Sequence, residues 1–438
     1  MLGRTQSQLR KVIPMLCSHR LATTLAVGMV STVMLYPVPA HGAIGNSSPS
    51  SLGLSSLGLS SLDDQDPGYG FDADPQVEGE FTRQTLAVSG EGYDCYRIPA
   101  LAVSPRGSVI ASYDGRPGSC ADAPNPNDIV QRVSTDNGAT FGSETVVAKG
   151  DPSTPEGFSD PSLIVNWHTG TVHNIHVRSL KAGIAASVPG TDPDQKDAIH
   201  VNHARSFDDG QTWQHRLITS EVSSPEDRGR FATSGNGIQL HYGEHRGRLV
   251  QPAMTIQEDG TWAYVAWYSD DFGITWSHGQ PFGHTGDENK IVELSDGRLM
   301  MNGRVKGEGT TRVVSYSDDG GETWTEPVAD PNLPDPRNNA SVIRAFPNAP
   351  QGSKEAKVLL FSNTASTTER NHGTIRMSCD DGQTWPVSKE FHEGPVDYTS
   401  MATLPDGRIG MLWEDHADSY SIVFSTFSLS WLGSTCLE

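Results

Sequence analysis

The sequence predicts an all-β domain, a six-bladed β-propeller spanning residues 76–438. Three observations predict it. The pattern S-x-D-x-G-x-T-aromatic occurs five times, beginning at Ser134, Ser206, Ser269, Ser317 and Ser378. Successive copies lie 72, 63, 48 and 61 residues apart, a mean of 61, and the 363 residues from 76 to 438 divided by that mean give six units. A unit of this length suits one four-stranded blade with its loops, so one blade lacks the motif. Between the copies, short runs rich in Val, Ile, Tyr and Trp alternate with turn signals, and no helical period extends beyond about ten residues.

The elements follow in chain order. Arg4, Arg10, Lys11 and Arg20 precede an apolar run from Leu21 to Tyr36, and the small residues Ala40 and Ala43 follow. That order of charge, apolar core and small residues reads as a secretory signal over residues 1–43. The run is short for a membrane anchor, and the mature chain is expected outside the cell without stable membrane insertion. Residues 44–75, with "SSLGLSSLGLSSL" followed by "DDQD", read as a flexible linker. Beyond it, "VSPRGSVIASY" (103–113), "LSDGRLMMN" (294–302) and "LPDGRIGMLW" (404–413) are strand–turn–strand patterns.

The repeated octapeptide is a turn. Glycine in its fifth position supplies a backbone angle that other residues avoid. The Asp, Ser and Thr side chains can satisfy the turn's own amides, and the aromatic can tuck beneath it. A calcium loop is the competing reading, but the spacing lacks regular ligands and a closing glutamate.

Charge and composition narrow the function. The formal charge is −21, and removal of the signal, which carries four basic and no acidic residues, makes it −25. This argues against nucleic acid as a partner. An anionic substrate would need a local cluster of arginines working against the overall field. No Cys or His spacing suggests zinc.

The five turns match the Asp-boxes of sialidases, and "YRIP" (Tyr96 to Pro99) matches the family's N-terminal motif. With "DENK", "NGR" and the late "DY", the chain resembles secreted bacterial sialidases of the actinobacterial type from about residue 80 to its end. The resemblance implies a retaining exo-α-sialidase acting on sialylated glycans as a monomer, with no metal or organic cofactor. It implies that Arg97, Arg304 and Arg370 grip the substrate carboxylate, with Arg376 the neighbouring alternative to Arg370. A carboxylate nucleophile would be repelled by that same group. A neutral phenol would not, and sialidases are the tyrosine exception among glycosidases.

By resemblance Tyr398 is the nucleophile and Glu288 its base, with Asp287 and Glu293 nearby. Asp122 is the general acid and later the base that activates water, with Asp128 the nearest rival. Glu414 orients Arg97, with Asp415 beside it, and Arg116 and Asp160 line the pocket near the sugar's hydroxyl and acetamido groups. Four cysteines remain after the signal and allow three pairings; Cys95–Cys120 and Cys379–Cys436 are favoured. The first would brace the Arg97 and Asp122 segments, and the second would fasten the C-terminus to the last repeat and close the ring. Three alternatives stay open: a trans-sialidase, a non-catalytic sialic-acid-binding propeller, and an enzyme for a related nonulosonic acid.

Overall fold

The structure, a computed structural model, describes residues 68–433 and 436–437. The expected signal segment and most of the linker lie outside the described residues. The fold is all-β with a propeller-like arrangement. Among the described residues helical turns are confined to Ile184–Ala186, Thr219–Val222, Glu355–Lys357 and Leu429–Leu432. None of these is long or apolar enough to cross a membrane.

The strands form five hydrogen-bonded sheets. Two are simple four-stranded meanders, one running from Cys95–Val103 to Thr145–Ala148 and one from Gly286–Glu293 to Val328–Pro334. Two have five strands, because short segments near residues 229–239 join the neighbouring meanders. The fifth has seven strands, because the 17-residue strand Val387–Thr403 pairs with Asn371–Ser378 through its first half and with Ile409–Asp415 through its second. Two meanders expected as separate blades are therefore continuous along one strand.

Hydrogen bonds between strands that are not ladder partners tie the centre together. Leu101 N–H donates to Ser400 Oγ at 3.0 Å and Met401 N–H to Ser341 Oγ at 3.0 Å. Asn289 Nδ2 donates to Ala253 O at 2.8 Å, and Gln251 Nε2 to Ser162 Oγ at 2.9 Å. These bonds satisfy polar groups in a buried centre that water cannot reach.

The ring is joined by main chain. Gln84–Val88 adds antiparallel to Ser421–Phe427, so the first strand completes the last sheet. The Cys379–Cys436 disulfide forms as favoured and anchors the C-terminal tail, but strand pairing makes the closure. The boundary at residue 76 also moves. Within the stretch assigned to the linker, Tyr69 and Ala73 are buried, and Ala73 N–H donates to Ala345 O at 2.8 Å. Tyr69 stacks on His241 with centroids 4.3 Å apart. Composition marked this segment as loose, whereas Phe71 packs edge-on against Trp167 and Tyr69 packs against His241 and His168.

All five repeats are the expected turns. In the first, Ser134 Oγ accepts from Gly138 N–H at 2.9 Å, and Asp136 accepts from the Thr140 amide and hydroxyl at 2.9 and 2.6 Å. The other four repeat this pattern. The fifth-position glycines all have positive φ, from 78° at Gly138 to 98° at Gly321. The terminal aromatic does more than cover its own turn. Phe141 meets Phe424 of the last sheet, Trp276 meets His203 of the preceding sheet, and Trp324 stacks on Phe282.

Candidate active site

Four strands deliver side chains to one pocket, and each does so at an irregularity. The pairing register slips between Arg97 and Ala100, between Ser159 and Ser162, between Gly286 and Asn289, and between Val396 and Thr399. Such bulges bend a strand and re-aim its side chains. Arg97, Asp160, Glu288 and Tyr398 sit in these four slips. Ile98 and Asp160 hold φ of 63° and 62°, a region that a β-branched residue adopts only when its surroundings impose it.

The pocket has a volume of about 250 Å³. Its lining includes Arg97, Asp122, Asp160, Glu288, Arg304, Arg370 and Tyr398, with Ile184, Phe231 and Trp262 forming an apolar wall. The three expected arginines therefore meet. Arg376 does not join them: it is buried and donates to Asn363 Oδ1 at 3.0 Å.

Glu414 has no exposed surface and organises two sides of the site. Oε1 accepts from Arg97 Nε at 2.8 Å and from Ile98 N–H at 2.5 Å. Oε2 accepts from Arg97 Nη2 at 3.3 Å and from Tyr398 N–H at 3.0 Å. One carboxylate thus orients an arginine and ties the backbone of the phenol to it.

The Tyr398 phenol is buried, and Arg304 Nη1 donates to it at 3.0 Å. The same nitrogen donates to Glu288 Oε2 at 2.6 Å. Among the described residues Glu288 and Tyr398 share this guanidinium and make no direct hydrogen bond. Burial pushes the phenol well above its ordinary range and the Glu288 charge adds to that, while Arg304, Arg370 and Arg97 pull it down. Asp287 lies 3.4 Å from Arg304 Nε, and burial raises its carboxyl. Glu293 is remote from these groups and binds the His241 and Tyr242 amides.

Asp122 projects from the loop after Val109–Arg116 with its side chain 85% exposed. The Cys95–Cys120 disulfide ties that loop to the Arg97 strand, as favoured. Arg116 corrects the expectation, because it does not line the pocket. It is buried behind the loop and donates to Asp122 Oδ1 at 2.7 Å and to Cys120 O at 2.8 Å. Asp114 anchors Arg116 through contacts of 3.1 and 2.9 Å, and burial raises the Asp114 carboxyl to about 7. Asp128 is occupied elsewhere, accepting from Tyr93, Lys149 and Gly150 N–H. Asp415 pairs with Arg83.

Sequence reasoning missed two further groups. Asp397 faces Arg97 and Arg370, and Tyr420 donates to it at 3.0 Å. Lys290, fully buried two residues beyond Glu288, donates to Ser234 O, and burial lowers its ammonium to about 7. Both lie inside quoted motifs, "DY" and "DENK", but strand alternation does not announce where they point.

The fold and this pocket together define a propeller-type protein built on Asp-box turns, with three arginines, a phenol and carboxylates gathered in one pocket. A profile described as a BNR repeat-like domain matches residues 127–411, and the chain belongs to that family. Within it the chain resembles bacterial sialidases of the actinobacterial type. It is 52% identical over 365 residues to a sialidase of Micromonospora viridifaciens, an alignment covering 83% of this chain and 56% of that protein. The chain therefore spans little more than half of that relative's length. Among solved structures, the Hadza microbial sialidase Hz136 superposes with a TM-score of 0.69 at 31% identity, covering 78% of this chain and 67% of that one. A leech intramolecular trans-sialidase superposes with a TM-score of 0.68 at 19% identity, covering 80% and 71%, which shows the shared fold.

Proposed function

We propose that this protein is an exo-α-sialidase that releases terminal sialic acid from glycans by a retaining, two-step displacement. The observation that carries the proposal is the convergence of Arg97, Arg304, Arg370, Tyr398 and Glu288 on one pocket, with the exposed Asp122 on its rim. The arginines take the substrate carboxylate. Because Arg304 Nη1 holds both Tyr398 and Glu288, an arriving carboxylate that draws Arg304 away frees the phenol to give its proton to Glu288. Asp122 protonates the leaving oxygen as the phenolate attacks, and later activates water against the sialyl–tyrosine intermediate.

The test is release of sialic acid from a fluorogenic α-sialoside with EDTA present, beside Tyr398→Phe. Turnover by the wild type, loss of at least about 10³-fold in the variant, and the α-anomer as first product by NMR are expected. Binding without turnover would instead favour a lectin, and sialyl transfer to lactose a trans-sialidase.

Six blades are part of the same reading. Dividing the seven-stranded sheet within Val387–Thr403 leaves one four-stranded unit on each side, and these join the four other sheets. Export from the cell and a monomeric state are likewise proposed. N-terminal sequencing of the mature chain and light scattering check them.

A further inference from the structure

Strand Val387–Thr403 brings two successive side chains to the site. In a regular strand Asp397 and Tyr398 would face opposite sides. The slipped register between Val396 and Thr399 removes that constraint. Tyr398 then reaches Arg304, while Asp397 reaches the other two arginines.

The Asp397 side chain is 1% exposed. Its Oδ2 lies 3.3 Å from Arg370 Nη1 and 3.6 Å from Arg97 Nη2, and accepts from the Tyr420 hydroxyl at 3.0 Å. Oδ1 faces His416 Nδ1 at 3.5 Å. Among the described residues Asp397 is the one carboxylate within ion-pair distance of both guanidiniums. Glu414 also holds Arg97, through Nε and the same Nη2 that Asp397 faces, but forms no ion pair with Arg370 among the described residues. Among the described residues Arg370 otherwise donates only to Arg337 O, at 3.1 Å. Tyr420 also places its ring 4.4 Å from the Arg97 guanidinium.

Two cations aimed at one point repel each other, and a buried anion between them offsets that repulsion. The separations from Asp397 are longer than the roughly 2.7–2.9 Å of a charge-assisted hydrogen bond. Asp397 therefore holds both guanidiniums without using up the N–H groups that an incoming anion needs. We infer that Asp397 is a positioning residue for carboxylate recognition: it sets Arg97 and Arg370 at the spacing at which both grip one substrate carboxylate, and Tyr420 fixes its orientation.

This role presupposes the sialidase reading, so turnover of the α-sialoside by wild type is the control that judges that reading separately. With an active wild type, Asp397→Asn is expected to raise KM about tenfold and to change kcat by less than about threefold. Inhibition by free sialic acid is then compared with inhibition by its methyl ester. Asp397→Asn should shrink the preference for the acid about tenfold, whereas a pocket that is merely loosened weakens both inhibitors alike. Tyr420→Phe, which keeps the ring over Arg97, should shrink the same ratio about two- to threefold, and it decides the question if Asp397→Asn does not fold. An acid-to-ester ratio equal to wild type in the folded variants overturns the inference.

Discussion

Glu414 has no contact with solvent, and its two oxygens accept four donors from Arg97, Ile98 and Tyr398. Such a group cannot be neutralised without leaving Arg97 poorly paired in a dry site. Glu414→Gln is expected to lower kcat/KM by about 10²-fold or more, measured by steady-state kinetics. Asp415→Asn, one residue away and paired with the outlying Arg83, should leave it within about threefold of wild type. The contrast is set by burial and partners, since both residues are acidic and adjacent.

At the scale of elements, the repeated turn is a joint between sheets. A Cβ at Gly138 would lie 2.3 Å from the Phe424 ring of the last sheet, on a backbone with φ of 78°. Gly138→Ala should therefore cost about 2–4 kcal/mol in chemical denaturation. Gly118, with φ of 77° but nothing within 4 Å of its would-be Cβ, should cost only about 1 kcal/mol when made Ala. The residue before each of these turn glycines is also left-handed: Asn137, Asp209, Phe272, Gly320 and Asp381. Asn, Asp and Gly tolerate that conformation, whereas Phe does not, and Phe272 is 49% exposed. Phe272→Asn should stabilise the protein by about 0.5–1 kcal/mol, read as a higher midpoint in the same denaturation.

For the whole molecule, buried titratable groups set the response to acid. Burial lowers His173 and His176 to about 3. The unfolded chain takes up their protons below about 6.5, while the folded chain does not until near 3. Their contribution is full above the unfolded value and is lost as pH falls through that window, at about 1.4 kcal/mol per pH unit for each histidine. Asp114 and Glu293, each raised by burial to about 7, act oppositely, because the folded state holds their protons first and gains stability as pH falls from about 7. The two effects partly offset, so the histidine term is best isolated by substitution. The difference in melting temperature between His176→Gln and wild type should move in the variant's favour as pH drops from 7.5 to about 5, equivalent to about 2 kcal/mol. A constant difference would show that His176 takes up its proton at the same pH in the folded and unfolded chains.

Much of this architecture was legible in the residues because the signals are local. Five Ser–Asp–Gly–Thr turns state their own hydrogen bonds, their spacing states the length of the unit, and short β-branched runs between them exclude helices. The three arginines, Tyr398, Glu288 and Asp122 stood in recognisable strings, while the cysteine pairs, one of three possible pairings, were favoured for the segments they would tie and form so in the structure. What only the tertiary structure decided depends on long-range pairing. The bulges at Arg97, Asp160, Glu288 and Tyr398 arise from register between strands, which no single segment encodes. Closure by Gln84–Val88 joins residues more than three hundred positions apart. Arg116 behind Asp122, Asp397 between two arginines, and Tyr69 seated against His241 are likewise outcomes of packing. A side chain's type is written in the sequence, but the direction it faces is settled when the sheets close around it.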